Sequence, residues 1–429
     1  MTDTAQRTPA APHKDINTGP VQRSWKAPIA LGVFALLAVI LFMGFGRAGE
    51  STLTLSARAD SIQLVPLVLP TLATCYIIAA VLVAIAVAAT LMVRRGTKVP
   101  LWLTTVFSIL LLLGFLVWAS AGANLPIPGL LAGSLGLAVP LIFGALGGVI
   151  SERVGVVNIA IEGQLLAGAF SSALVASVTG SPIIGLVAAM VSGVLVSFVL
   201  AAFAIKYVVD QVIVGVVLNV LVSGLTGFLF SQLLSPNSDA LNSPPRFNEI
   251  AIPLLSEIPI IGHVFFRQTL IVYLMYLAVA CVYVGLFHTK WGLRLRAVGE
   301  HPQAADTVGI NVGSTRFWNV SLAGAIAGLG GAFFTLGSVG AFGKDMTAGA
   351  GFIALAAVIF GRWDPIRATL AALLFGFASN LQGVLNIIGS PVPSEFMLML
   401  PYLVTIFAVA GLVGKSRPPA ASGKPYIKS

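Results

Sequence analysis

Of the chain's 429 residues 57% are hydrophobic and 9% charged, where a soluble domain carries roughly a quarter charged residues. No soluble catalytic domain has room to exist. The net charge of +9 comes from basic residues scattered between apolar runs, which excludes a nucleic-acid-binding domain and suits membrane orientation instead. The two cysteines, Cys75 and Cys281, each sit inside an apolar run and read as packing residues. His263, His288 and His301 belong to unrelated loops, so no metal site is expected.

Residues 1–26 are polar, with Pro9, Pro12 and Pro20, and read as a disordered cytoplasmic tail. The run that follows is longer than a signal-peptide core, and is read as an uncleaved first span. Apolar runs of membrane-crossing length place spans at 27–46, 64–93, 99–121, 128–150, 155–178, 183–205, 209–234, 268–288, 317–340, 346–361, 367–388 and 397–414. The fold class is all-α: a polytopic transmembrane bundle of about 10–12 spans. With the N-terminus inside, nineteen basic residues face the cytoplasm and five, Arg47, Arg58, Arg246, Arg267 and Lys344, face out. That asymmetry sets both termini cytoplasmic. The run 346–361 is short for a crossing, but a re-entrant turn there would move the basic tail, 415–429, outside.

In chain order the first chemistry-bearing stretch is Ser151–Phe170, which sets Asn158 and Glu162 into an apolar span. A carboxylate at that depth costs on the order of 3 kcal/mol on insertion scales and faces protein or water. Two readings are open. Glu162 is hydrogen-bonded near Asn158 and holds a broken helix together, or the two present donors and acceptors to a polar solute; Gly155 and Gly163 allow local unwinding. Glu152 and Arg153 need only the membrane edge. Asp210 and Gln211 open the next span as a helix start, and Gln211, Gly215 and Asn219 share one face of it. Asn158, Glu162, Gln164 and Asn219 are the candidate substrate-pathway residues. Further on, Gly324 and Gly328 form a GxxxG, the mark of close helix packing. Asn380, Gln382 and Asn386 are candidates to face a partner or a pore.

Two loops are long. Residues 235–267, outside, carry five prolines and three acidic residues and suit a partly ordered cap or docking surface. Inside, 289–316 holds "PQAADTVG", where Pro302 can start a short helix and Gly309 can end it. Its small residues Ala304 and Ala305 let a partner approach closely. The same residues also fit an ordinary basic loop.

"WGLRLRAVGEHPQAADTVGI" resembles the cytoplasmic coupling loop of permease subunits of ATP-binding-cassette (ABC) importers, in the family serving branched-chain amino acids, ribose-type sugars and nucleosides. "ERVGVVNIAIEGQLLAGAF" and "VIVGVVLNVLVSGLTGFLF" look most like its nucleoside and simple-sugar branch. The resemblance covers roughly 122–414, a permease core, and leaves 27–121 as N-terminal spans of unassigned role. It implies a pore subunit in the bacterial cell membrane that is not an enzyme and binds no cofactor itself. A cytoplasmic ABC ATPase would use the ATP. A second permease subunit, forming a heterodimer, and an extracytoplasmic solute-binding lipoprotein would complete the importer. On this resemblance Gly292, Arg294, Arg296, Ala297, Gly299, Glu300, Ala304, Ala305 and Gly309 are the candidate coupling residues.

The residues agree that ATP is handled elsewhere, because the near-match to a P-loop, "VAGLVGKS", has Val409 where the first glycine must stand. A nucleoside importer is therefore the main reading, with a simple-sugar permease next. A proton-coupled secondary transporter, with Glu162 carrying the proton, is the rival from another class; it would leave the internal loop without a purpose.

Overall fold

The computed structural model describes residues 25–57, 60, 62–390, 392, 393, 396, 399 and 417–428. The expected disordered tail falls almost wholly outside them. So do the P-loop near-match and, apart from Met399, the expected span 397–414. Ten helices among the described residues are long and apolar enough to cross a bilayer, and the chain is an all-α polytopic membrane protein.

The described residues form two compact units, 1–49 with 70–118, and 50–69 with 119–429. The first holds α1 (Lys26–Gly44), α2 (Thr71–Arg94) and α3 (Leu101–Ala119). They pack through small residues: Ala35, Ala38, Ala79 and Ala86 are buried, and Phe42 fills the space that a side chain on Gly114 would occupy. The outward faces carry Ile29, Val33, Ile77 and Ile109, the composition a lipid-facing surface needs. Helix α2 starts at Thr71, not at 64, because Pro66 and Pro70 break the helical hydrogen-bond pattern. Residues 67–70 are extended instead.

In the second unit two short strands, β1 (Glu50–Thr54) and β3 (Asn124–Pro126), pair in parallel, Thr52 opposite Asn124; β2 is Leu67–Pro70. The membrane helices are α4 (Ile127–Arg153), α5 (Ile161–Thr179), α6 (Pro182–Lys206), α7 (Gln211–Leu234), α10 (Leu270–His288), α13 (Val312–Val339) and α15 (Pro365–Ile387). Helix α4 is the axis: every residue from Ala138 to Glu152 is buried. Without water to drive apolar helices together, lipid-embedded helices associate by close packing of small residues. The GxxxG of α13 does this, since Gly324 meets Gly193 and Ser197 of α6 and Gly328 meets Ala189 of α6 and Gly168 of α5.

Between α7 and α10 the loop 235–267 is ordered. It holds α8 (Ser238–Leu241), β4 (Glu249–Ala251) and α9 (Ile261–Phe265), with β4 antiparallel to β5 (Arg267–Thr269). The Asn242 side chain bonds both the N–H and the C=O of Phe342 and ties the loop to the chain after α13. After α10 come α11 (Lys290–Glu300) and α12 (Pro302–Thr307). The chain leaves α12 through Gly309 at φ +85°, so the short helix and its terminator stand where the sequence places them.

The crossing expected at 346–361 is made in two parts. Helix α13 runs antiparallel to α4, with Ala323 against Gly147 and Phe333 against Gly136, so it ends beside the start of α4. From there 340–349 return as irregular backbone, and α14 (Ala350–Phe360) completes the passage to Trp363, which lies against Arg153. Eleven helical residues span only about 16 Å, half of a hydrocarbon core of about 30 Å.

Candidate translocation site

The first gap in the helices follows α4. The expected span 155–178 begins as a helix only at Ile161, because Gly155, at φ +94°, turns the chain out of the helical conformation. Ser151 closes the turn, its hydroxyl donating to Val156 O. Ile161 packs where side chains on Gly144 and Gly148 would be. It therefore lies about 8–14 Å along the axis from Arg153 at 1.5 Å per residue. Helix α5 thus starts well inside the apolar layer, and its unpaired backbone groups need partners there.

Helix α7 supplies them from one strip. Gln211 Oε1 accepts from Val157 N at 2.7 Å. Asn219 accepts from Gly163 N and donates to Ile159 O, both at 2.8 Å. Between them Gly215 lets Ile159 and Ala160 lie directly on the α7 backbone. Asp210 starts the helix as expected, its carboxylate accepting from Val212 N and Ile213 N. Gln211 is more than a helix start, being buried and bonded across to the unwound segment.

Glu162 occupies the second gap. Its Oε1 accepts from Thr347 Oγ1 at 2.6 Å and Gly349 N at 2.9 Å, and its Oε2 from Gly351 N at 2.6 Å. Two of these donors are the amides at the start of α14 that have no partner within the helix, so one carboxylate lies at the positive ends of two helices, α5 and α14. Gly351 is required: a Cβ there would run into the backbone of Glu162. The far end of α14 is clasped too. Trp363 donates its indole N–H to Glu152 at 2.5 Å and accepts from Arg153 Nε at 2.9 Å. Glu152 is thus buried among protein groups and needs more than an interface, its carboxylate being held by the indole of Trp363.

The hydrogen-bonding account of Glu162 holds with different partners. Asn158 bonds Gln164 instead, at 3.1 Å, because the backbone between Asn158 and Glu162 is not helical and the i, i+4 face does not exist there. Gln164 also donates to Ser197 Oγ at 2.9 Å, and all three side chains are fully buried. Asn158 and Gln164 therefore line no open path in this conformation, and they pin α5 to α6. Glu162 and Asn219 remain half-exposed. Beside them lie the exposed Asp345, bonded to Ser223 at 2.5 Å, and the exposed Phe352. This part of the bundle thus carries two carboxylates, a side-chain amide and a hydroxyl, with one aromatic ring exposed nearby. Among the described residues no cluster of metal-ligating side chains occurs. Asn380 donates to Leu130 O at 2.7 Å and so joins α15 to α4; Gln382 is half-buried and Asn386 exposed.

The candidate coupling residues divide into two sets. Gly292, Gly299 and Ala305 face inward: Gly292 abuts Leu286, and Gly299 lies on the backbone of Arg153. Arg296 stacks over Phe287 at 5.2 Å, and Ala297 is half-buried. Arg294, Glu300, Ala304 and Gly309 are exposed, as are the apolar Leu293 and Val308. Ala305 is thus unavailable to a partner, because it sits on the side of α12 turned into the bundle.

The residues that sequence reasoning missed are Thr347, Gly349, Gly351, Trp363 and the segment 417–428. Glycines and a tryptophan near a polar span were the only available signal.

Residues 130–409 match the family described as branched-chain amino acid transport system / permease component. The guanosine ABC transporter permease protein NupQ of Bacillus subtilis is 43% identical over 302 residues, 68% of this chain and 94% of the relative. The nucleoside ABC transporter permease protein NupC of Lactococcus lactis is 41% identical over 310 residues, 70% of this chain and 97% of the relative. The putative glucose ABC transporter permease protein TsgC13 of Haloferax volcanii is 35% identical over 300 residues, 65% of this chain and 89% of the relative. No solved structure matches the chain.

Proposed function

The chain belongs to the branched-chain amino acid transport system permease family, and from that premise we propose that it is the membrane-spanning subunit of an ATP-driven importer of nucleosides. The observation that carries the substrate class is the similarity, over nearly the full length of both relatives, to permeases named for guanosine and nucleosides. The geometry fits that class. Two interrupted crossings, 154–160 before α5 and 340–349 before α14, meet at Glu162 with Asn219, Ser223, Asp345 and Phe352 alongside. Interrupted helices meeting at depth are how transporters build polar sites in an apolar layer.

The remaining parts of the machine are proposed from the family. A cytoplasmic ABC ATPase docks on α11 and α12 and uses the ATP, a second and different permease completes the pore, and an extracytoplasmic solute-binding lipoprotein delivers the solute to the loop 235–267. Both termini are cytoplasmic, in a bacterial cell membrane, as the positive-inside asymmetry favours. A sugar cargo is the second reading, favoured by the relative named for glucose.

Uptake of labelled guanosine and labelled glucose, in host cells with and without this chain, tests the proposal. Loss of guanosine uptake alone is the expected result, and restoration by the intact chain completes it. Loss of glucose uptake alone transfers the assignment to sugars. Uptake that stops with an uncoupler while ATP is held constant favours a proton-driven carrier instead.

A further inference from the structure

Asp345 is the polar residue whose surroundings fit its depth least. It lies in the irregular segment 340–349, exposed, at a φ of +50°, a left-handed conformation that Asp and Asn adopt more readily than most residues. Its carboxylate accepts the Ser223 hydroxyl at 2.5 Å, and that bond fixes where it stands in the bilayer. Ser223 is the thirteenth of the 24 residues of α7, so it lies about 18 Å along a helix of about 36 Å at 1.5 Å per residue. The carboxylate therefore sits near the middle of a hydrocarbon layer of about 30 Å.

A carboxylate at the bilayer centre belongs in the bundle interior or against water, because hydrocarbon cannot solvate it. Asp345 is exposed on this chain, so lipid is not what lies against it. Its acceptor capacity is also largely unspent. An ionised carboxylate offers about four lone-pair sites; Ser223 fills one, and among the described residues no cation pairs with the group. Lys344, its neighbour in sequence, is turned to the ring of Phe230 at 5.9 Å. The adjacent polar side chains are already committed. Glu162 receives three donors from the chain itself, and Asn219, one turn before Ser223, is bonded to Ile159 and Gly163. Of the two carboxylates at this depth, Asp345 is the one with acceptors to spare.

We propose that Asp345 faces the water-filled translocation path at mid-membrane and accepts hydroxyl donors from the sugar ring of the passing solute. The contact rests on the reading of the chain as an importer of nucleosides, since a ribose carries adjacent hydroxyl groups and two neighbouring O–H donors match the two oxygens of one carboxylate. Ser223 orients the group by holding one of its oxygens from α7. A hexose supplies the same donors, so Asp345 serves either cargo.

The test labels the assembled importer in cells with a charged methanethiosulfonate reagent, which reacts where water reaches a thiol and ionises it. Asp345→Cys is compared with the parent, whose Cys75 and Cys281 set the background, and with Leu221→Cys, at nearly the same depth on the far exposed side of α7. Ser223→Cys, a change of one atom, reads the same place where Asp345→Cys fails to fold. Labelling faster than both references is expected. Labelling no faster than the references overturns the path and leaves the carboxylate covered by the second permease. Asp345→Asn tests the contact, since it keeps the left-handed turn and an acceptor for Ser223 while charge-assisted hydrogen bonds become weaker neutral ones. Uptake per folded molecule should fall several-fold, and uptake equal to the parent's overturns the contact. Labelling needs no cargo, so a chain that carries glucose in place of guanosine changes the substrate assignment and leaves the result on Asp345 standing.

Discussion

Replacing Glu162 tests the central joint of this permease. Alanine removes the acceptor for Gly349 N–H, Gly351 N–H and the Thr347 hydroxyl at once. The hydroxyl can rotate to another acceptor, but the two amides are fixed by α14. At about 1–3 kcal/mol for each buried donor left unmet, Glu162→Ala costs about 2–6 kcal/mol, a large part of a typical stability of about 5–15 kcal/mol. Glutamine behaves differently. Its carbonyl can keep Thr347 and Gly349, but its NH₂ then faces the Gly351 N–H, donor against donor, so one amide is lost and the cost is about 1–3 kcal/mol. The order of folded protein is therefore parent, then Gln, then Ala. Fluorescence-detected size exclusion after a graded heat step gives the folded fraction, and uptake per folded molecule is measured on the same membranes. A Glu162→Ala chain that melts with the parent refutes the joint. Normal melting of Glu162→Gln with altered solute preference moves the residue from holding the helices to contacting cargo.

Other expectations follow from the same contacts. Gly351→Ala places a methyl on the Glu162 backbone and should cost about 1–3 kcal/mol from overpacking, read as a lowered melting midpoint; an unchanged midpoint contradicts the close approach. Trp363→Phe keeps an aromatic ring but removes the pyrrole part of the indole and leaves the buried Glu152 without its donor, so a loss of at least about 1–3 kcal/mol is expected, with Trp363→Tyr no better placed to restore the bond. Ala304→Trp should fold as the parent and fail to co-purify the ATPase, while Ala305→Trp should reduce folded protein itself; equal behaviour of the two would contradict the inward placement of Ala305. Asn219→Leu removes two hydrogen bonds, to Ile159 O and Gly163 N, and should lower folded protein by more than Gln211→Leu, which removes one.

The helices were legible because apolar length alone announces them, but their starts were not. Pro66 and Pro70 mark the true start of α2, and they are inconspicuous within an apolar run that continues on both sides. Gln211, Gly215 and Asn219 stand out as a strip because four-residue spacing is visible in letters. What the strip holds is invisible, since its partners are the amides and carbonyls of an unwound segment, groups that every residue carries. The same reason hid the partners of Glu162: an isolated carboxylate is conspicuous, whereas the N–H groups of Gly349 and Gly351 have no side-chain signature. The four-residue spacing of Asn158 and Glu162 suggests one helical face in letters, but Gly155 removes the helix that would create it. In the coupling segment the composition of α12 showed a short helix with small residues, but not which of Ala304 and Ala305 the bundle covers.

The three bonds of Glu162 reach across 185 to 189 residues of chain, and this separation has a bearing on how the protein is made. A membrane helix enters the bilayer during synthesis, so α5 is in place long before α14 exists. At about 5–20 residues per second the ribosome needs on the order of 10–40 s to reach Gly351. Throughout that interval the carboxylate is without the amides that later receive it. The nascent α5 must therefore wait near the aqueous edge or within the insertion machinery. Its final depth is set only when α14 arrives, which makes the last third of the chain a condition for the first third of the core to settle.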